Sequence, residues 1–154
     1  MIKIMFVCLG NICRSPMAEF VFKDLVKKEK LENHFIINSA ATSNEEYGNP
    51  VHPGTRKKLK EHNISTTGKT AVQLQPSDYD QYDFIIAMEN ANIKGIMRII
   101  GTDPEHKVTT LLSFTNHPRD IADPWYTGDF NQTFDDIYEG CTALLTYLKK
   151  HYPL

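Results

Sequence analysis

The sequence predicts an α/β fold: a four-stranded parallel sheet held between helices in a three-layer αβα sandwich. Two observations carry this. Residues 2–7, apolar but for Lys3, and 84–88, apolar throughout, read as strands covered on both faces, and the segments that follow them repeat apolar residues at helical spacing. Strands alternating with helices make parallel sheets, and such sheets bind ligands beyond the C-terminal ends of their strands. Cys8 stands at one of those ends, with a tight loop at 9–15 and a helix start beyond it.

The elements follow in order. Residues 2–7 form the first strand, ending at Cys8. Ser15 suits a helix N-cap and Pro16 a first helical position, so a helix is expected over 17–28. Met17, Phe20, Val21 and Leu25 mark its inner face; Lys23, Asp24, Lys27 and Lys28 mark the outer one. Residues 35–38 read as a second short strand leading into Ser39, and 44–53 as an exposed polar loop containing Tyr47, Gly48, Pro50 and Pro53. A second helix is expected over 54–62 with Leu59 facing inward, then loop over 64–70; residues 72–80 fit neither template cleanly. Strand 84–88, helix 90–100 and strand 107–112 follow. A long polar loop, 113–131, holds Asp120, Asp123, Pro124, Trp125, Tyr126 and Asp129. Phe134, Ile137, Tyr138, Cys141, Leu144, Leu145 and Leu148 then give the clearest helical stripe in the chain.

Composition narrows the function. A chain of 154 residues without repeat or linker is expected to form one domain, 1–154. Its net charge of −2 offers no case for nucleic acid or an anionic membrane surface. No apolar run reaches the ~18 residues of a membrane-spanning helix, and the apolar start is too short for a signal peptide. Three cysteines, Cys8, Cys13 and Cys141, make no disulfide framework, so reduced thiols and a cytoplasmic location are expected. The six histidines show no ligand spacing, so neither a metal nor any other cofactor is expected.

The chemistry lies in the spacing Cys8-x5-Arg14-Ser15. Five residues between Cys and Arg can curl so that backbone N–H groups point inward at an oxyanion, as at a helix N-terminus. Arg14 can clamp two oxygens bidentately, which lysine cannot. Gly10 permits close backbone approach, and Asn11 tolerates a left-handed conformation. A thiol facing such donors favours thiolate, the nucleophilic form. Phosphate is the most plausible anion. Downstream, Asp123 is followed by a proline that restricts it to extended backbone, and so fixes where a proton-donating carboxylate would point. Asp120 is the second candidate acid.

The run CLGNICRSPMAE, residues 8–19, resembles the signature of the low-molecular-weight protein tyrosine phosphatases, and Asp123-Pro124-Trp125-Tyr126 resembles that family's acid loop. The resemblance spans nearly the whole chain. It implies the flavodoxin-like strand order 2-1-3-4 and a metal-free hydrolysis of phosphotyrosine proteins through a cysteinyl-phosphate. It implies Cys8 as nucleophile, with Arg14 and the N–H groups of Leu9, Gly10, Asn11, Ile12, Cys13, Arg14 and Ser15 as the phosphate cradle. Asp123 becomes acid then base; Asn11, Ser15 and Ser39 support the loop; Trp125 and Tyr126 wall a slot deep enough to favour aryl phosphates. Inorganic phosphate and vanadate become expected inhibitors, and a monomer the expected state. Cys13 becomes a redox partner of Cys8, with a small packed side chain as the plainer reading. Two places depart from the family. Glu45 stands where many members carry an aromatic wall residue: either Tyr47 substitutes for it, or the slot is open on that side. Glu45 and Glu46 would also disfavour acidic peptides. Lys69 stands where some members have a histidine supporting Asn11, which puts loop rigidity in question.

Three rivals share parts of this pattern. A thioredoxin-coupled arsenate reductase needs further cysteines after the third strand, and residues 88–107 contain none. Protein-arginine phosphatases tend to carry threonine where this loop has Ile12, which would pack on an aryl ring instead. A non-enzymatic phosphate binder would be expected to have lost Cys8 or Asp123, and both are present.

Overall fold

The computed structural model describes all 154 residues. Four strands, β1 (Ile2–Cys8), β2 (Phe35–Ala41), β3 (Phe84–Ala87) and β4 (Val108–Thr110), form one sheet in the order β2-β1-β3-β4, with every neighbouring pair parallel. The register sets Cys8 beside Ala41 and Val7 beside Ala87, so three strands end on one level.

Alternation along β1 divides the core. Ile2, Ile4, Phe6 and Cys8 point to one face, where they meet α1 (Arg14–Lys28), Leu59 of α2 (Pro53–Lys60) and α6 (Phe130–His151). Met5 and Val7 point to the other, toward Tyr79 of α3 (Asp78–Gln81) and Ile96 of α4 (Asn90–Ile100). Helices on both faces make the three layers that the apolar strands required. Phe22 is the hub of the first face, with Phe6 edge-on at 5.9 Å and Phe35 at 5.5 Å between ring centroids. No helix is long and apolar enough to cross a membrane.

Several boundaries differ from the sequence reading, each for a local reason. Helix α1 begins at Arg14, with Cys13 at the cap and no side-chain cap bond. Ser15 is not the N-cap, because its hydroxyl is used at Cys8; Pro16 still falls in the first turn, where its missing N–H costs nothing. Met17 and Val21 are buried as expected, but Phe22 and Val26 complete the stripe, while Phe20 and Leu25 are only half-buried. Strand β2 runs on through Ser39, Ala40 and Ala41, small residues that disguise a strand but pair fully with β1. Helix α2 starts at Pro53, capped by His52 Nδ1, which accepts from the Gly54 N–H at 3.0 Å. Strand β4 stops at Thr110, since Leu111 and Leu112 turn into a 3-10 helix and bury under α6. The polar loop holds a short helix, α5 (Pro124–Thr127), and α6 starts at Phe130 behind the cap Asp129. Tyr138 lies on the outer edge of the α6 stripe and is exposed.

Gly140 shows how closely α6 lies on the 3-10 helix that follows β4: a Cβ there would stand 2.5 Å from Leu111 Cγ. Gly140→Ala should gain ~1 kcal/mol of helix propensity yet lose ~1–3 kcal/mol to overpacking, so chemical denaturation should give a net loss. A stabilised variant would show that α6 sits further out.

Candidate active site

Parallel strands leave their C-terminal ends free, and the site is built there. The chain leaves β1 at Cys8, turns through 9–13 and enters α1 at Arg14. The turn closes because Asn11 adopts left-handed backbone, φ 59°. It is pinned from outside by backbone bonds: Thr42 N–H donates to the Cys8 carbonyl, Ser43 N–H to Leu9, and His52 N–H to Ile12. Cys8, Asn11, Arg14 and Ser15 are all buried.

Three donors converge on the Cys8 sulfur: the Ser15 hydroxyl at 3.0 Å, the Asn11 N–H at 3.3 Å and the Ser15 N–H at 3.4 Å. The direction of the first follows from a chain of committed protons. Glu19, buried in α1, accepts from Ser39 Oγ at 2.5 Å and from Lys23 at 2.6 Å. A hydroxyl has one proton, so Ser39 can only accept from Asn11 Nδ2, at 2.9 Å. The second Nδ2 hydrogen goes to Ser15 Oγ at 2.8 Å, and the amide cannot flip because Asn11 Oδ1 accepts from the Val72 N–H. Ser15 keeps its own proton for Cys8, whose sulfur is nearer than the Ala40 carbonyl at 3.4 Å. A sulfur met by three donors is suited to carry negative charge.

Lys69 belongs to this support. Its Nζ donates to the Ser39 carbonyl at 2.8 Å and lies 3.6 Å from Glu19. Burial pulls its ammonium pKa down, against the attraction of Glu19. Lys69 thus holds Ser39, the strand residue that accepts from Asn11 Nδ2, and reaches the loop through it.

Arg14 lies between elements far apart in sequence. Its Nη1 contacts the Glu89 carboxylate and donates to the Ile121 carbonyl at 2.9 Å; its Nη2 donates to Asp123 at 3.3 Å. Asp123 is extended (φ −78°, ψ 115°) and caps α5 by accepting from the Trp125 N–H. A cleft of about 150 Å³ opens over the sulfur, lined by Cys8, Leu9, Gly10, Ile12, Cys13, Arg14, Ser43, Glu45, Glu46, Asp123, Trp125 and Tyr126. The structure therefore brings Cys8, Arg14, Asp123, Trp125 and Tyr126 together. It does not bring in Tyr47, which is 71% exposed and absent from the lining; of the two alternatives for that side, the structure has Glu45 and Glu46 in the lining and no aromatic from this stretch. Asp120 is also outside the cleft, accepting the Asn90 N–H at 2.9 Å.

Four contributors escaped the sequence reading. Glu89 was findable: it follows β3 on the same edge as Cys8 and caps α4. Glu19 carried no signal beyond being a carboxylate on the side of α1 that turns inward. His52 accepts the Gly54 N–H, stacks on Phe130 at 5.3 Å and meets Trp125 edge-on at 5.7 Å, so His52 and Phe130 brace the acid loop; nothing local announces this.

The cysteines differ in reactivity. Burial, then the neighbouring Cys8 and Asp123, push the Cys13 thiol up to about 12. Cys141 is raised further by burial alone in the core. Iodoacetate at neutral pH should therefore label Cys8 alone, with phosphate protecting it. Peptide mapping that finds Cys13 labelled at a comparable rate would contradict this environment.

Known proteins match this arrangement. The family model described as low molecular weight phosphotyrosine protein phosphatase covers residues 3–154. The chain is 40% identical over 152 residues to the low molecular weight protein-tyrosine-phosphatase YfkJ of Bacillus subtilis, covering 97% of each chain. The crystal structure of YfkJ superposes with a TM-score of 0.96, covering 99% of this chain and 98% of that one at 39% identity. The low molecular weight protein tyrosine phosphatase SP-PTP from Streptococcus pyogenes gives 0.84 at 38% identity, covering 99% and 100%. The Drosophila arginine phosphatase DARP gives 0.85 at 29% identity, covering 96% and 98%. With residues 3–154 of its 154 matched by the family model, the chain belongs to the low molecular weight phosphotyrosine protein phosphatases.

Proposed function

We propose that residues 1–154 act as one catalytic domain that hydrolyses phosphotyrosine and related aryl phosphomonoesters through a cysteinyl-phosphate on Cys8. The observation that carries this is a buried sulfur, met by three donors, at the floor of a cleft that also contains Asp123. In the first step Cys8 Sγ attacks phosphorus, the bond from phosphorus to the aryl oxygen breaks, and Asp123 delivers its proton to the departing phenolate. In the second, Asp123 takes a proton from water as the water oxygen attacks phosphorus. The S–P bond breaks, returning thiolate and inorganic phosphate.

The N–H groups of residues 9–15 and Arg14 hold the three peripheral oxygens. Their value lies in being fixed before charge redistributes. Glu89 and the Ile121 carbonyl hold Nη1, so Nη2, which Asp123 shares, is the group assigned to phosphate. A phenol leaves with pKa ~10, so a proton from Asp123 helps most at neutral pH. Ile12, Trp125 and Tyr126 in the lining favour an aryl ring over a phosphorylated guanidinium. Phosphotyrosine-bearing proteins are the assigned substrates, with phosphate and vanadate as competitors for the loop.

Cys13 is assigned as resolving thiol. Peroxide oxidises Cys8 to a sulfenic acid; Cys13 displaces water from it; a dithiol reduces the resulting disulfide. Its raised thiol makes that step slow. Activity regained with dithiol after peroxide should be lost in Cys13→Ser; equal recovery would remove the assignment.

With a phosphotyrosine peptide and no added metal, wild type should turn over and Cys8→Ser should not. Asp123→Asn should lose about 10²–10⁴-fold in kcat, whereas Asp120→Asn, outside the cleft, should lose little. Full turnover by Asp123→Asn would move the acid role elsewhere. A phosphoarginine peptide hydrolysed faster than the phosphotyrosine one would overturn the substrate assignment.

A further inference from the structure

The cleft has a charge imbalance that the hydrolysis itself does not use. Trp125 and Tyr126 supply its aromatic rim, while Glu45 and Glu46 supply carboxylates. Glu46 lies against the phosphate loop, its Cγ 3.4 Å from where a Cβ on Gly10 would stand. Its carboxylate is held by Asn49 Nδ2 at 2.6 Å, which positions it without neutralising it. The Glu45 N–H is anchored to Ser43 Oγ at 3.1 Å. Neither carboxylate forms an ion pair. Arg14 is the one cation in the lining, and Glu89 and Asp123 already share it. Arg56, Lys60 and Lys69 line a separate groove with Val51 and Asn63.

Two uncompensated carboxylates beside a dianion site, Glu46 held by Asn49 and Glu45 carried on an anchored backbone, repel phosphate. A cation on the substrate next to the phosphotyrosine reverses that sign: it offsets the repulsion and gains two attractions at the rim. Tyr47 stays out of the lining, so it does not close this stretch against a peptide chain. Resting on the phosphotyrosine reading above, we propose that Glu45 and Glu46 are specificity-determining residues selecting phosphotyrosine sequences flanked by lysine or arginine over those flanked by aspartate or glutamate.

The test uses three peptides carrying a non-hydrolysable phosphonate in place of the phosphotyrosine phosphate, flanked by basic, neutral or acidic residues. Their Kd values are measured on the wild-type protein and on Glu45→Gln/Glu46→Gln, at low and high salt. The basic peptide should bind about 5- to 20-fold more tightly than the acidic one at low salt. That ratio should fall toward one in the double variant and at high salt. Equal affinities in wild type, or a ratio that survives both the variant and the salt, would overturn the proposal. Metal-free turnover of p-nitrophenyl phosphate, which has no flanks, is measured separately. Its absence would count against the phosphatase reading, while the peptide ranking would still decide the charge preference.

Discussion

One proton, on the hydroxyl of Ser15, determines how the rest of the site can work. It faces the Cys8 sulfur because Asn11 Nδ2 can only donate to Ser15 Oγ and the other acceptor in reach, the Ala40 carbonyl, stands farther off at 3.4 Å against 3.0 Å. The origin of that order is Glu19, a buried carboxylate that can only accept, and the order passes through Ser39 and Asn11 to the sulfur. A buried carboxylate is costly without cations, and Lys23 and Lys69 supply them. Loop shape and sulfur environment are therefore properties of α1, β2 and the segment near Lys69 together, not of the cysteine loop alone.

Arg14 performs the matching task on the other side. Glu89 comes from the end of β3, Ile121 and Asp123 from the segment before α5, and all three meet one guanidinium. The parallel sheet in the order β2-β1-β3-β4 puts β1 and β3 side by side with their ends level. His52 and Phe130 extend the bracing to Trp125, so the aromatic rim rests on the packing of α2 against α6. The fold thus joins Cys8 and Asp123, the proposed nucleophile and acid, across more than a hundred residues.

The fold class and the pairing of Cys8 with Arg14 and Asp123 were legible because each has a local sign: an apolar run, a fixed spacing, a proline after an acid; the strand order came only from the family resemblance of those motifs. What was not legible has no local sign. Ser39 to Ala41 look like loop until β1 pairs with them. Ser15 looks like an N-cap until a sulfur competes for its hydroxyl. Glu19, Lys69 and His52 acquire their roles only through contacts made in three dimensions. Tyr47 was nominated for the wall only because it lies two residues beyond the family's aromatic position, and in the structure it is exposed and outside the cleft lining.

The central claim is that phosphate passes through the Cys8 sulfur. Rapid acid quench of the wild-type protein during turnover of a phosphotyrosine peptide, followed by mass-spectrometric mapping, reads this directly. One phosphate on Cys8, forming and decaying within the turnover time, is the expected result. A phosphate on another residue, or steady turnover with no phosphoenzyme and direct transfer to water, would contradict it.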